Sequence, residues 1–146
     1  MATTSAVGTE VAMSPDLPTD YTDTAFAALS WSVVGRLQSA PPADGSYDVS
    51  TFEDITTGEE LKEPDIFRAG EGTCNVAYDL DDAGQDVLRS NVGQKVSIRL
   101  TMKNGAIFYR TAVIRSFMPT NISVGSFLIA EVGFAFFGRT VVVEPA

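Results

Sequence analysis

Between Lys95 and Phe117, apolar and polar side chains alternate on both sides of Asn104-Gly105. A period of two puts successive side chains on opposite faces of a strand, and Asn-Gly suits a two-residue type I′ turn, so the segment predicts a β-hairpin. That turn sets Met102 across from Ile107, Leu100 from Tyr109, Ile98 from Thr111 and Val96 from Val113, which makes one face apolar. The other face then carries Arg99 opposite Arg110, with Thr101 beside Phe108 and Lys103 beside Ala106. Like charges directly across a ladder repel. This face therefore meets water, where the two arginines splay apart, or an acidic partner.

The same period recurs elsewhere. Leu29, Trp31 and Val33 alternate with serines and predict the first strand; Cys74, Val76 and Tyr78 predict another. Asp81 or Asp82 can cap a short helix that runs through Leu88 to about Ser90 and stops at Asn91-Val92-Gly93. Leu128 to Phe137 is apolar on both faces, as in a central strand. Gly138-Arg139 then turns into the run Thr140 to Val143, which Pro145 closes. Residues 1–24 are rich in Ala, Thr, Ser, Asp and Pro and predict a flexible N-terminal arm; residues 25–146 predict a single domain. Within that domain, residues 43–71 follow Pro41-Pro42 and sustain no period; Ser50 to Leu61 could be one strand and a turn, but the segment is too long for an idle loop in a compact fold. The predicted fold class is mainly β (α+β): an antiparallel β-sandwich or small barrel with one short flanking helix.

Chemistry is constrained by what is missing. The chain has no histidine, which removes Ser-His-Asp and Cys-His catalysis and histidine metal sites. Cys74 is the single cysteine, so it predicts a buried thiol and neither a disulfide nor a zinc site. Asp79-Leu80-Asp81-Asp82-Ala83-Gly84 hints at a calcium loop, but Ala83 and Ser90 occupy positions that need oxygen ligands, and a capped helix start is the better reading. Glu53-Asp54, or Glu59-Glu60 with Glu63, could pair carboxylates for glycoside hydrolysis, yet neighbours in a polar loop stay solvated. No nucleotide-binding or nucleophile-elbow motif is present. Asn121-Ile122-Ser123 matches a glycosylation acceptor without a secretory signal before it, and Phe127 to Phe137 is too short to span a membrane. The expectation is a protein with no catalytic residue, metal or cofactor.

Charge is unevenly shared. The net −9 and pI near 4.3 oppose tight binding to a phosphate backbone. Residues 1–94 hold 17 acidic and four basic residues, residues 95–146 two acidic and six basic ones, so the two parts carry −13 and +4. Either they satisfy each other within one fold, or one copy complements another head to tail, closing a ring or continuing a filament.

The order of these pieces resembles the tail tube proteins of long-tailed, siphovirus-like bacteriophages. The resemblance spans roughly residues 29–143. It rests on Val33-Val34-Gly35-Arg36-Leu37, the acidic loop after Pro41-Pro42, Tyr78 through Leu88, Asn104-Gly105, and Asn121 to Gly125 before a closing strand. It implies hexameric rings, stacked head to tail, whose strands join into a barrel around a lumen through which DNA passes without specific binding. Six copies carry −54 formal charges, which suits a wall that does not hold DNA. It also implies other phage tail proteins as partners, synthesis in the host bacterial cytoplasm, and a final place in the virion. The loop at about 43–71 would reach the adjacent ring. Its inter-ring or inter-subunit contacts would then be Asp44, Tyr47, Phe52, Glu53, Asp54, Glu59, Glu60, Lys62, Asp65, Phe67 and Arg68, with Arg99 and Arg110 as further contacts. The other readings are a capsid decoration protein or ring-forming virion binding module, and, least favoured, a small acid-bearing hydrolase.

Overall fold

The computed structural model describes residues 7–121, 124–125 and 128–144. Along the chain the elements are β1 (Glu10–Ser14), α1 (Asp23–Ala27), β2 (Ser32–Val33), β3 (Leu37–Ser39), β4 (Ser46–Asp54), β5 (Glu59–Arg68), β6 (Glu71–Ala77), α2 (Ala83–Ser90), β7 (Lys95–Thr101), β8 (Ile107–Asn121) and β9 (Ile129–Val143). Seven strands form one antiparallel sheet in the order β2-β1-β7-β8-β9-β6-β3, which curls into a half-barrel; β4 and β5 make a separate two-stranded sheet. The mainly β, antiparallel class is the one the sequence predicts.

One face of the large sheet carries the core. Val11 and Met13 of β1, Val96, Ile98 and Leu100 of β7, Ala112 and Ile114 of β8, Val132, Phe134 and Phe136 of β9, and Cys74 and Val76 of β6 pack there. Leu88 of α2 and Val34 lie in the same core. The helix starts as predicted, with Asp82 Oδ2 accepting from Gln85 N at 2.9 Å. Asp82 Oδ2 also accepts from Gly35 N, at 3.0 Å. Fully buried Gln85 completes the junction: its Nε2 donates to Gly35 O and Ala77 O, and its Oε1 accepts from Asp79 N. Every polar atom of that amide has a partner, as burial demands.

The opposite face is covered over β1, β7 and β8 by the chain leading through α1. Phe26, fully buried, stacks on Tyr109 at 5.0 Å, and Trp31 packs on Tyr109 at 5.9 Å. Tyr21 and Thr111 share a hydrogen bond at 3.1 Å, and Ser97 Oγ donates to Asp16 O at 2.7 Å.

Several sequence expectations are corrected here. Residues 10–14, assigned to a flexible arm, form β1 inside the sheet, with Val11, Ala12, Met13 and Ser14 all buried. A strand covered on both faces does not alternate, which is why composition hid it. The strand expected from Leu29 shrinks to Ser32–Val33, and α1, capped by Thr22, was not anticipated. Gly138-Arg139 does not turn the chain: Gly138, at φ +68°, sits in a bulge, and β9 runs on to Val143. In the β7–β8 hairpin Gly105 alone takes a positive φ, +96°, with Gly105 N donating to Met102 O and Met102 N to Ala106 O. This is a type I turn closed by a glycine bulge, one residue longer than the predicted loop. The register slips by one, pairing Arg99 with Tyr109 and Ile98 with Arg110. Arg99 and Arg110 thus lie on opposite faces of the sheet. Of the other expectations, those touching residues 1–6, Ile122, Ser123, Phe127 and Pro145 lie outside the described residues.

Candidate assembly site

The acidic segment predicted as a long loop is a long hairpin, β4–β5. Its turn is locally specified: Gly58 N donates to Asp54 O at 2.8 Å, Thr56 N to Asp54 Oδ1 at 2.9 Å, and Glu59 N to Thr57 Oγ1 at 3.3 Å. The ladder pairs Asp54 with Glu59, Glu53 with Glu60, Phe52 with Leu61, Thr51 with Lys62 and Val49 with Pro64, then shifts register before Tyr47 pairs with Phe67. Arg68 Nε donates to Asp48 at 2.8 Å, and Ser50 Oγ to Asp65 at 3.1 Å. The hydrogen bond and charge of Asp48 raise the Arg68 pKa above its ordinary value.

Backbone order here is not matched by burial. Nearly every residue of both strands is exposed. Tyr47 is 62% exposed, Phe52 65% and Ile55, at the tip, 98%. Val49, Leu61 and Ile66 are exposed as well. Residues 46–68 hold seven acidic and two basic side chains, a net −5. At the tip, Glu53 faces Glu60 and Asp54 faces Glu59, like-charge pairs that disfavour the hairpin standing alone.

The root is held differently. Arg110, only 4% exposed, donates from Nη1 to Pro42 O at 3.0 Å and from Nη2 to Ala69 O at 2.6 Å. These carbonyls flank the hairpin on its two sides. The guanidinium also lies 3.8 Å from the centroid of the Phe136 ring. Burial holds its pKa below the ordinary value, with Asp44 pulling it back up. A desolvated guanidinium satisfied by two carbonyls and an aromatic face fixes how the hairpin leaves the sheet.

The predicted contact residues therefore separate. Tyr47, Phe52, Glu53, Asp54, Glu59, Glu60, Lys62, Asp65, Phe67 and Arg68 share the projecting hairpin, and Asp44 lies at its root. Arg110 sits beneath that root. Arg99 lies on the far face, its guanidinium 5.3 Å from the Trp31 ring centroid. Ile55 and Ile66, apolar residues set among acids and absent from the expected contacts, are exposed on the same hairpin.

Most cations of the C-terminal part have no carboxylate partner; Arg115, paired with Glu71, is the exception among the described residues. Among the described residues, Lys95, Arg99, Lys103 and Arg139 form no ion pair. Lys95 and Arg139 instead lie over the rings of Phe137 and Tyr21, at 5.5 and 6.0 Å. Two of the acids within residues 79–82 have structural duties: Asp79 lies 3.9 Å from Arg36 and accepts from Asp81 N, while Asp82 caps α2. Cys74 is buried, and desolvation pushes its thiol pKa up to about 12, so it packs rather than reacts. No helix among the described residues is long and apolar enough to cross a membrane.

No family model and no curated protein matches the chain. Solved structures do. One similar chain belongs to the PVC sheath/tube terminator of an extracellular contractile injection system in its extended state, with a TM-score of 0.66, 12% identity, and coverage of 99% of both chains. Another belongs to the six-fold symmetrised baseplate of the anti-feeding prophage, with a TM-score of 0.59, 14% identity, and coverage of 98% of this chain and 97% of that one. The protein thus shares its fold, over 98–99% of its length, with these two chains.

Proposed function

We propose that this chain is the tube subunit of a phage-tail-like particle, a structural protein without catalytic activity. Identical copies form hexameric rings, the rings stack head to tail through the β4–β5 hairpin, and DNA passes along the lumen without specific binding. Other tail proteins cap and join the tube, and the finished particle is the virion tail assembled in the bacterial host.

The observation that carries this reading is the hairpin: a ladder fixed in register by its turn and root, yet exposed over its length. Large exposed apolar surfaces on a soluble chain mark interaction sites. A two-stranded ribbon with no third layer is marginal in water by itself. The open, curled sheet supports the same reading, because its outermost strands β2 and β3 span only two and three residues, leaving most of the next strands' outer edges for a neighbour to complete. The fold neighbours come from tail-like assemblies, one of them six-fold symmetrised.

Electron microscopy and sedimentation of the purified full chain at rising concentration test the proposal. Hollow tubes or six-membered rings are expected, with no retardation of DNA in a gel. A chain that stays monomeric at every concentration, with hairpin amides already protected from exchange, overturns it.

A further inference from the structure

At the hairpin root lies a groove of about 590 Å³ between the end of β5 and the bulged stretch of β9. Ile66, Phe67, Phe136 and Phe137 supply its apolar lining, and Arg139 stands at its rim. Of the charged side chains lining it, Arg68 is held by Asp48 and Glu71 by Arg115 at 3.0 Å, so Arg139 is the one without a carboxylate partner among the described residues. Lys95, equally unpaired, adds a second cation over the Phe137 ring. The site is thus an apolar trough flanked by two unspent positive charges.

The hairpin tip has the opposite character. Ile55 stands almost wholly in solvent, ringed by Glu53, Asp54, Glu59 and Glu60, of which, among the described residues, only Glu60 has a cation, Lys62 at 3.2 Å. We propose that the tip of one copy seats in the root groove of a second copy, with Ile55 against Phe137 and Ile66 and the free tip carboxylates facing Lys95 and Arg139. This rests on the assembly reading above and names the surface that receives the hairpin. The occupant cannot be the molecule's own tip, because strands of nine and ten residues carry it roughly 30 Å from the root at about 3.3 Å per residue. Tip-to-root contact is heterologous: each copy offers one tip and one groove, so the contact repeats until a ring closes or a stack grows. Burying Ile55 removes an apolar side chain from water, and the two cations relieve the repulsion between facing carboxylates.

The test mixes two full-length variants, Ile55→Cys and Ile66→Cys, allows assembly, oxidises, and reads covalent dimer on a non-reducing gel. Native Cys74 is 1% exposed and stays silent. The mixture is expected to give the 55–66 dimer. Adding Lys95→Glu and Arg139→Glu to the Ile66→Cys chain should lower its yield about tenfold or more, and Glu53→Lys with Glu59→Lys on the Ile55→Cys chain should restore it. Rings or tubes that form without the 55–66 dimer, or a yield indifferent to charge reversal, overturn this inference and leave the assembly reading standing. Failure of the parent chain to assemble at all overturns both.

Discussion

The large sheet and the β4–β5 hairpin use the same backbone ladder, and they are held by different things. In the sheet, β7, β8 and β9 have neighbours on both sides, and side chains such as Val96, Ile114 and Val132 are fully buried. In the hairpin, the cross-strand pair Phe52–Leu61 has one partner each and water around it. A backbone ladder specifies a shape at little net stability, because its hydrogen bonds replace bonds to water; burial of apolar area supplies most of the driving force. The sheet therefore carries most of the burial that stabilises a single chain, and the hairpin draws little from burial.

The sharpest way to break that division is to damage each region and measure the same quantity. Phe134, 1% exposed and stacked on Phe136 at 5.9 Å, lies in the centre of the core. Phe134→Ala is expected to destabilise the isolated chain by about 3–5 kcal/mol in urea unfolding, from lost transfer energy plus the cavity left behind. A loss below about 1 kcal/mol would mean that the sheet is not where stability resides, since that size is typical of an ordinary surface change.

A second, smaller effect lies at the joint between the two regions. Arg110→Met keeps an unbranched apolar stem against Phe136 and removes both hydrogen bonds, leaving Pro42 O and Ala69 O to find water. A cost of about 1.5–3 kcal/mol is expected, the range for hydrogen bonds to a charged group. The more telling readout is orientation. Spin labels on Ile55→Cys and Lys103→Cys should give a narrow distance distribution in the parent and a broad one with Arg110→Met. An unchanged distribution would show that the root is held by other contacts.

Arg110 also marks where sequence reading stopped. The β7 and β8 strands, the buried Cys74 and the Asp82 cap of α2 were legible, because alternation and capping are local signals. The turn type was not: Asn104-Gly105 serves both a two-residue turn and the glycine-bulge turn actually formed, and a slip of one residue moves every side chain to the other face. That slip took Arg110 from a predicted exposed pair with Arg99 into the core, where it holds the hairpin. The full extent of the hairpin, beyond one strand and a turn within Ser50 to Leu61, was hidden for the converse reason. With no core on either face, nothing imposes a period, so Tyr47 and Val49 fall on one side and Phe52 and Leu61 on the other. The segment's isolation from the core, which erased the sequence signal, is the same property that makes it available to a partner.

The smallest expected effect on the isolated chain sharpens the comparison most. Phe52→Ser together with Leu61→Ser removes the apolar cross-strand pair from a solvent-exposed part of the hairpin. In the monomer the change should stay within about 0.5 kcal/mol, the usual range for surface positions away from caps and cores. If the hairpin is covered in the assembly, the same substitutions expose polar groups to desolvation where an apolar pair was buried, and the concentration needed for tubes or rings should rise about tenfold or more. Urea unfolding of the dilute chain and sedimentation of the concentrated chain read the two numbers separately. A large loss in the first would make the hairpin part of the monomer's own core, and no change in the second would remove this face of the hairpin from the contact. A small first number with a large second one is what a ladder folded in one molecule and buried by another must give.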